Sequence, residues 1–264
     1  MGKQKMGLEN LVEQMEKTMV VSDIHGEFVD ESAYAIALAY MKDYKPDKVV
    51  INGDLGDFYS ISDFDKNPDR KTKLVDDKKV MREILYDIRK TAGKACEITL
   101  IEGNHENRLQ KFLWRNPQLE GLDELYIPKL IGVKDFNVKY VGADREYWKK
   151  TMGHLNVGNA TITHGDSRLN GVKGGQNASY NTAKQSGRDV IIGHTHRLKM
   201  NYFTNFNQSV VGIECGCLCQ VPGTADWQQG FVTFETEKGK NYNYRLHNIK
   251  NNELKADGAT YLIE

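Results

Sequence analysis

Apolar positions along this chain fall in short runs separated by polar clusters. Residues 19–22, 48–52, 98–102, 160–163 and 189–192 are rich in Val and Ile, and each run stops at a group of Gly, Asp, Asn or His. A run that short and apolar throughout predicts a strand buried on both faces. Between the runs, residues 31–43 are Ala-rich, and over residues 74–92 Leu74, Met81, Ile84, Leu85 and Ile88 share one helical face. Residues 178–186 predict a further helix. Strand followed by helix, repeated, predicts an α/β fold. Residues 209–213, 231–235 and 242–247 read as strands with no helix between them, so the C-terminal part should add antiparallel strands. Leu8, Leu11, Val12 and Met15 lie at helical spacing and predict a short amphipathic helix over residues 1–17 ahead of the first strand.

Two segments interrupt this plan, residues 58–73 and an insertion at 114–150. Long segments beside a catalytic edge form lids, specificity walls or surface decoration. At 264 residues one large domain spanning 1–264 accommodates everything without a split. Lys plus Arg and Asp plus Glu both number 36, so no global field draws the chain to nucleic acid or an anionic membrane. Nothing approaches the length of an apolar membrane span or resembles a signal peptide. A cytoplasmic location and no membrane partner are therefore expected; protein partners are not indicated. Cys96, Cys215, Cys217 and Cys219 suit reduced thiols, the last three alternating as on a strand.

The polar clusters that end the runs carry the candidate chemistry. In α/β sheets, ligands gather at the carboxyl ends of strands, and this is where metal-capable side chains recur. Asp23 and His25 sit two apart, as do His194 and His196, a spacing at which extended backbone points both side chains the same way. Asp54 follows Gly53, Asn104 follows Gly103, and His164 follows Thr163. Five of the seven histidines fall in these clusters, leaving His154 and His247 outside. Oxygen and imidazole donors suit first-row transition ions and zinc better than calcium.

Taken in order, Asp23-Ile24-His25, Gly53-Asp54-Leu55-Gly56-Asp57, Gly103-Asn104-His105-Glu106, His164-Gly165-Asp166 and Gly193-His194-Thr195-His196 resemble the motif series of the calcineurin-like metallophosphoesterase superfamily, over Asp23 to His196. The resemblance implies a sandwich of two mixed β-sheets flanked by helices. It also implies two divalent metal ions, manganese first, with iron, nickel, cobalt or zinc as alternatives. Asp23, His25 and His196 would hold one ion, Asn104, His164 and His194 the other, and Asp54 would bridge them. Two carboxylates against two divalent cations leave about two positive charges, which favours hydroxide and an anionic phosphate. His105 is then the candidate general acid, Asp57 its orienting carboxylate, and Arg108 the candidate contact to phosphate, ahead of Arg168 and Arg197.

The expected activity is hydrolysis of a phosphate ester by metal-activated hydroxide, on a nucleotide or nucleic-acid phosphodiester. A protein or small-molecule phosphomonoesterase and a catalytically silent metal-binding scaffold are the alternatives. Phe58 and Tyr59 follow Asp57 where the protein-phosphatase branch has Arg-Gly, which counts against a phosphoprotein substrate. The loop from Phe58 to Asp65, with His164 to Arg168, also looks like bacteriophage-encoded members of the superfamily. Tyr59, Phe64 and Trp114 suit stacking on a base or packing in the core equally.

Overall fold

The apolar runs lie in the middle of two facing sheets in the computed structural model, which describes residues 15–142, 153–165, 175–223 and 225–263. In the first sheet β1 (Glu16–Val21), β2 (Lys48–Asn52), β3 (Glu97–Ile101) and β4 (Val138–Val141) run parallel. β10 (Gly230–Glu237) lies antiparallel against β1, and β11 (Lys240–Asn248) antiparallel against β10. The second sheet has β6 (Ala160–Thr163), β7 (Asp189–Ile192) and β9 (Ser209–Cys215) in parallel, flanked by the antiparallel edge strands β5 (His154–Val157) and β8 (Leu198–Thr204). A hairpin of β12 (Glu253–Ala256) and β13 (Ala259–Leu262) stands apart.

Parallel neighbours require crossovers, and the predicted helices provide them: α1 (Glu31–Tyr44) between β1 and β2, α2 (Leu74–Ala92) between β2 and β3, and α5 (Ala178–Ser186) between β6 and β7. The Asp30 side chain caps α1 by accepting from Ala33 N, and α2 buries Met81, Ile84, Leu85 and Ile88. Strand residues divide between two cores. Val20, Val50 and Ile101 pack against Ile162, Ile191, Val211 and Ile213 between the sheets, while Met19, Val21, Val49 and Ile51 pack outward against α1 and α2. Adjacent residues are thus both buried, which is why these strands read as unbroken apolar runs.

Three expectations shift. Of the helix predicted over 1–17, residues 1–14 lie outside the described residues, and Glu16 and Lys17 already belong to β1. The 114–150 segment is not only decoration. It begins in α3 (Glu106–Arg115), continues through α4 (Ile127–Leu130), buries Ile127, Leu130, Ile131 and Val133, and contributes β4 to the first sheet. The C-terminal strands are antiparallel in the first sheet, but β9 pairs in parallel with β7 and so ends at the same edge. Among the described residues no helix is long and apolar enough to cross a membrane.

Candidate metal centre

The carboxyl ends of β1, β2 and β3 meet those of β6, β7 and β9 along one edge of the sandwich, and hydrogen bonds stitch the seam. Ile24 N and His25 N donate to Asp54 O (3.0 and 2.9 Å), and Gly193 N donates to His164 O (2.9 Å). Across the sheets Asn52 Nδ2 donates to Thr163 O (3.0 Å), and His194 N donates to Asp23 Oδ2 (3.0 Å). The approach is close enough to exclude side chains at two points. A Cβ on Gly53, whose φ is +84°, would collide with the His164 ring, and one on Gly193 would collide with Ser22 Oγ.

All seven candidate ligands converge there. His25 Nε2 lies 3.1 Å from His196 Nε2, which lies 3.1 Å from Asp23 Oδ1. On the other side His164 Nε2 is 3.0 Å from Asn104 Oδ1, and His194 Nδ1 is 2.8 Å from the same oxygen. Asp54 Oδ2 faces both groups, 3.8 Å from His25 Nε2 and 3.2 Å from His164 Nε2. His164 Nδ1 lies 2.8 Å from the carbonyl of Asn52, an acceptor only, so it is the donor. A neutral His164 then presents the Nε2 lone pair to the oxygens of Asn104 and Asp54. Acceptors pointed at one another with no proton between them are what a cation requires, so the donor set fits divalent metal.

The electrostatics agree. Burial pushes the Asp54 carboxyl up, but the imidazoles of His164, His105 and His25 outweigh it and hold it well below the usual carboxylate range. Asp23 is likewise raised by burial and pulled below its ordinary value by His196. His196 is lowered by burial but raised further by Asp23, to about 10. Two fully buried carboxylates thus draw positive charge to this edge, although burial lowers His194.

The pairs converge by a different backbone from the one expected. Asp23, His25, Asp54, His194 and His196 all have φ between 52° and 61°, the left-handed region, so Asp-x-His and His-x-His are not extended. For residues with a Cβ this conformation costs about 1 kcal/mol each. It turns the chain sharply at the strand end, which brings Asp23 and His25 into one cluster and sends His194 and His196 to the two different clusters.

Beside these lies the expected acid–base group. His105 Nδ1 is 3.0 Å from Asp57 O and 3.1 Å from Asp57 Oδ1. Burial raises the Asp57 carboxyl, yet hydrogen bonds with His105 and His25 hold it well below the carboxylate range. Arg108 donates to Asp57 O (2.7 Å) and sits 2.9 Å from His105 Nε2. Arg197 instead donates to the buried Glu214 (3.0 Å), and Asp166 and Arg168 lie outside the described residues.

Several contributors, Glu106 of the Gly103-Asn104-His105-Glu106 motif apart, escaped sequence reasoning. Arg70 donates to Asp57 Oδ2 (3.1 Å) and is sandwiched between the rings of Phe28 (4.1 Å) and Tyr59 (3.6 Å). Glu106 is fully buried at the start of α3 and accepts from Asp54 N, Leu55 N, Gly56 N and Gly103 N at 2.8 to 3.1 Å. Burial and the charge of Asp54 push its carboxyl up to about 7. Cys219 Sγ lies 3.7 Å from His196 Nδ1, a sulfur where a carboxylate or carbonyl more often orients a ligating imidazole. Trp227 packs on His196 with ring centroids 4.0 Å apart. Tyr59, Phe64 and Trp114, the aromatic residues weighed as base contacts or core, do not line the cavity over the centre; Phe28 and Trp227 do. The β9 end, from which Cys219 follows, carried the available signal, because every strand ending at this edge brings its next residues to the site.

Known proteins resemble this chain at both levels. It is 28% identical over 266 residues to the Gene 54 protein of Mycobacterium phage L5, covering 94% of this chain and 99% of that one. Its counterpart in phage D29 is 27% identical with the same coverage. These are phage proteins, in line with the resemblance noted from the Phe58 loop. A metallophosphoesterase from Sphaerobacter thermophilus superposes with a TM-score of 0.47 at 15% identity, covering 90% of this chain and 89% of that chain. The sequence profile of calcineurin-like phosphoesterases matches residues 16–198, from β1 to just past the His194-Thr195-His196 turn. With more than half of its length inside that match, the chain belongs to the calcineurin-like phosphoesterase family, the metal-dependent hydrolases of phosphate esters.

Proposed function

We propose that this enzyme is a dinuclear phosphodiesterase acting on nucleotide or nucleic-acid esters. The observation that carries the reading is the position of Asp54, whose carboxylate faces His25 on one side and His164 on the other. Asp23, His25 and His196 would hold one divalent ion and Asn104, His164 and His194 the second, with Asp54 between them. Such ions, when bound, supply Lewis acidity that acidifies water and neutralises charge on the phosphoryl oxygens.

The protein's own groups do the rest. Asp57 accepts a hydrogen bond from Nδ1–H of His105 and so directs Nε2 toward the cavity, where the leaving alkoxide needs a proton. Arg108 Nη2 sits 2.9 Å from that same Nε2. A phosphoryl oxygen is the stronger acceptor for a guanidinium, so substrate draws Arg108 away and frees Nε2 to carry the proton. A diester rather than a monoester is supported by the cavity lining: beyond Arg108 beside His105, the described lining residues include no Lys or Arg to offset a second phosphate charge.

Hydrolysis of bis-p-nitrophenyl phosphate and p-nitrophenyl phosphate, by metal-stripped protein reloaded separately with Mn, Ni, Zn or Mg, tests this directly. The diester should be preferred. Monoester preference would replace the reading with a phosphatase, and silence with every metal would leave a scaffold.

A further inference from the structure

The cavity over the candidate metal centre has a volume of about 550 Å³ and two unlike sides. Its floor is the cluster of Asp, Asn and His side chains. Its wall is apolar, formed by Phe28, Val221, Pro222 and Trp227, with the Gln220 amide at one end. The volume suits one small ligand.

This wall is fixed relative to the floor. Gln220 N donates to Phe28 O (2.8 Å), Leu218 N to Asp23 O (3.2 Å), and Gln228 N to His196 O (2.8 Å). Trp227 is therefore anchored at its neighbour, and its ring contacts His196 directly. A group attached to a phosphate held beside His196 would lie against the indole. Phe28 is held from behind by the Arg70 guanidinium, itself bound to Asp57.

From this arrangement we infer that the enzyme recognises a small ester carrying a single nucleobase, which stacks on the Trp227 wall while its phosphate lies on the floor, and that it does not recognise a polynucleotide. Aromatic faces accept any base, and an amide such as Gln220 offers both a donor and an acceptor to a base edge. A strand of nucleic acid would need a basic groove along its backbone, whereas the two guanidinium groups beside the described lining, Arg70 and Arg108, both donate to Asp57. The inference rests on the phosphodiesterase reading for the role of the floor, but its test reads binding and not turnover.

The test compares adenosine 5′-monophosphate with ribose 5-phosphate, which has the same sugar and phosphate without the base. Binding of each to the Mn-loaded protein is measured by calorimetry for the native chain, Trp227→Leu and Val221→Asp. The nucleotide should bind about tenfold more tightly than the sugar phosphate, the scale of one base stacked on an aromatic ring. Trp227→Leu should erase that ratio while ribose 5-phosphate affinity and metal content hold. Val221→Asp, exposed and away from His196, should reduce the ratio without touching the floor. Equal affinities in the native protein, or a variant that weakens both ligands alike, would overturn the stacking wall. A decathymidylate bound far more tightly than the mononucleotide, with steep salt dependence, would overturn the small-substrate part. Failure of diester hydrolysis, by contrast, would count against the proposed chemistry and leave this binding contrast standing.

Discussion

Glu106 and Glu214 are both buried beside the candidate centre, one bracing its first-sheet half and the other its second-sheet half, and they do so in different ways. Glu106 accepts from the backbone of Asp54, Leu55, Gly56 and Gly103. Glu214, on β9, accepts from the side chains of Ser179 (3.1 Å), Thr195 (2.7 Å) and Arg197 (3.0 Å). Backbone bracing fixes the path of a loop whatever its side chains do. Side-chain bracing holds a loop only as firmly as two rotamers allow. The halves differ in donors too: the first sheet supplies the candidate oxygen ligands Asp23, Asp54 and Asn104 with His25, and the second supplies imidazoles alone. A set of acidic groups repels itself when empty and needs the firmer frame.

The comparison breaks most visibly at the residue that joins the halves. Asp54→Asn should deplete both metals and cut hydrolysis by about 10³-fold or more, since the charge shared by the two clusters is gone. Metal analysis showing two ions retained, with activity intact, would remove Asp54 as the bridge. His105→Ala should leave metal content unchanged and lower the rate by about 10² to 10⁴, the usual contribution of a positioned acid. An unaltered rate would take that role from His105.

Smaller effects sharpen the difference between the braces. Glu106→Gln keeps one acceptor oxygen and turns an NH₂ toward backbone donors, so unfolding in urea should show a loss of about 2 to 3 kcal/mol. Glu214→Gln leaves the partly exposed Thr195 and Arg197 free to turn to water, and about 1 kcal/mol should go. Equal losses would mean that the two braces are equivalent after all. Smallest is the response to metal removal. Chelation should raise amide hydrogen exchange at residues 193–197 while residues 53–57, tied to Glu106, change little. The reverse pattern would sink the idea that the second-sheet half is the looser one.

How much of this the sequence disclosed follows from how local each feature is. The strands β1, β2, β3, β6 and β7 and the candidate ligands after them are legible because a run buried on both faces and its terminal polar cluster are adjacent in the chain. Of the edge strands only β11 is legible, and β4, β5 and β8 are not: Leu198–Thr204 of β8 alternates only weakly and half faces solvent, so its composition resembles a loop. β4 is four residues inside a segment broken by glycine and proline. Arg70 and Trp227 have no motif around them. Packing alone carries them to Asp57 and His196, and no spacing rule links residues so placed.

The left-handed backbone at Asp23, His25, Asp54, His194 and His196 has a consequence for anyone who would engineer this protein. At each position glycine would relax the main chain by up to about 1 kcal/mol, so in the metal-free state part of what is lost by deleting a side chain is returned by relief of strain. At His194, the more exposed of these positions, the metal-free His194→Gly protein should melt no lower than its parent, whereas in the loaded form the order should reverse. Selection for heat resistance on stripped protein would therefore drift toward catalytically dead sequences, and a useful library has to be screened with its metal present.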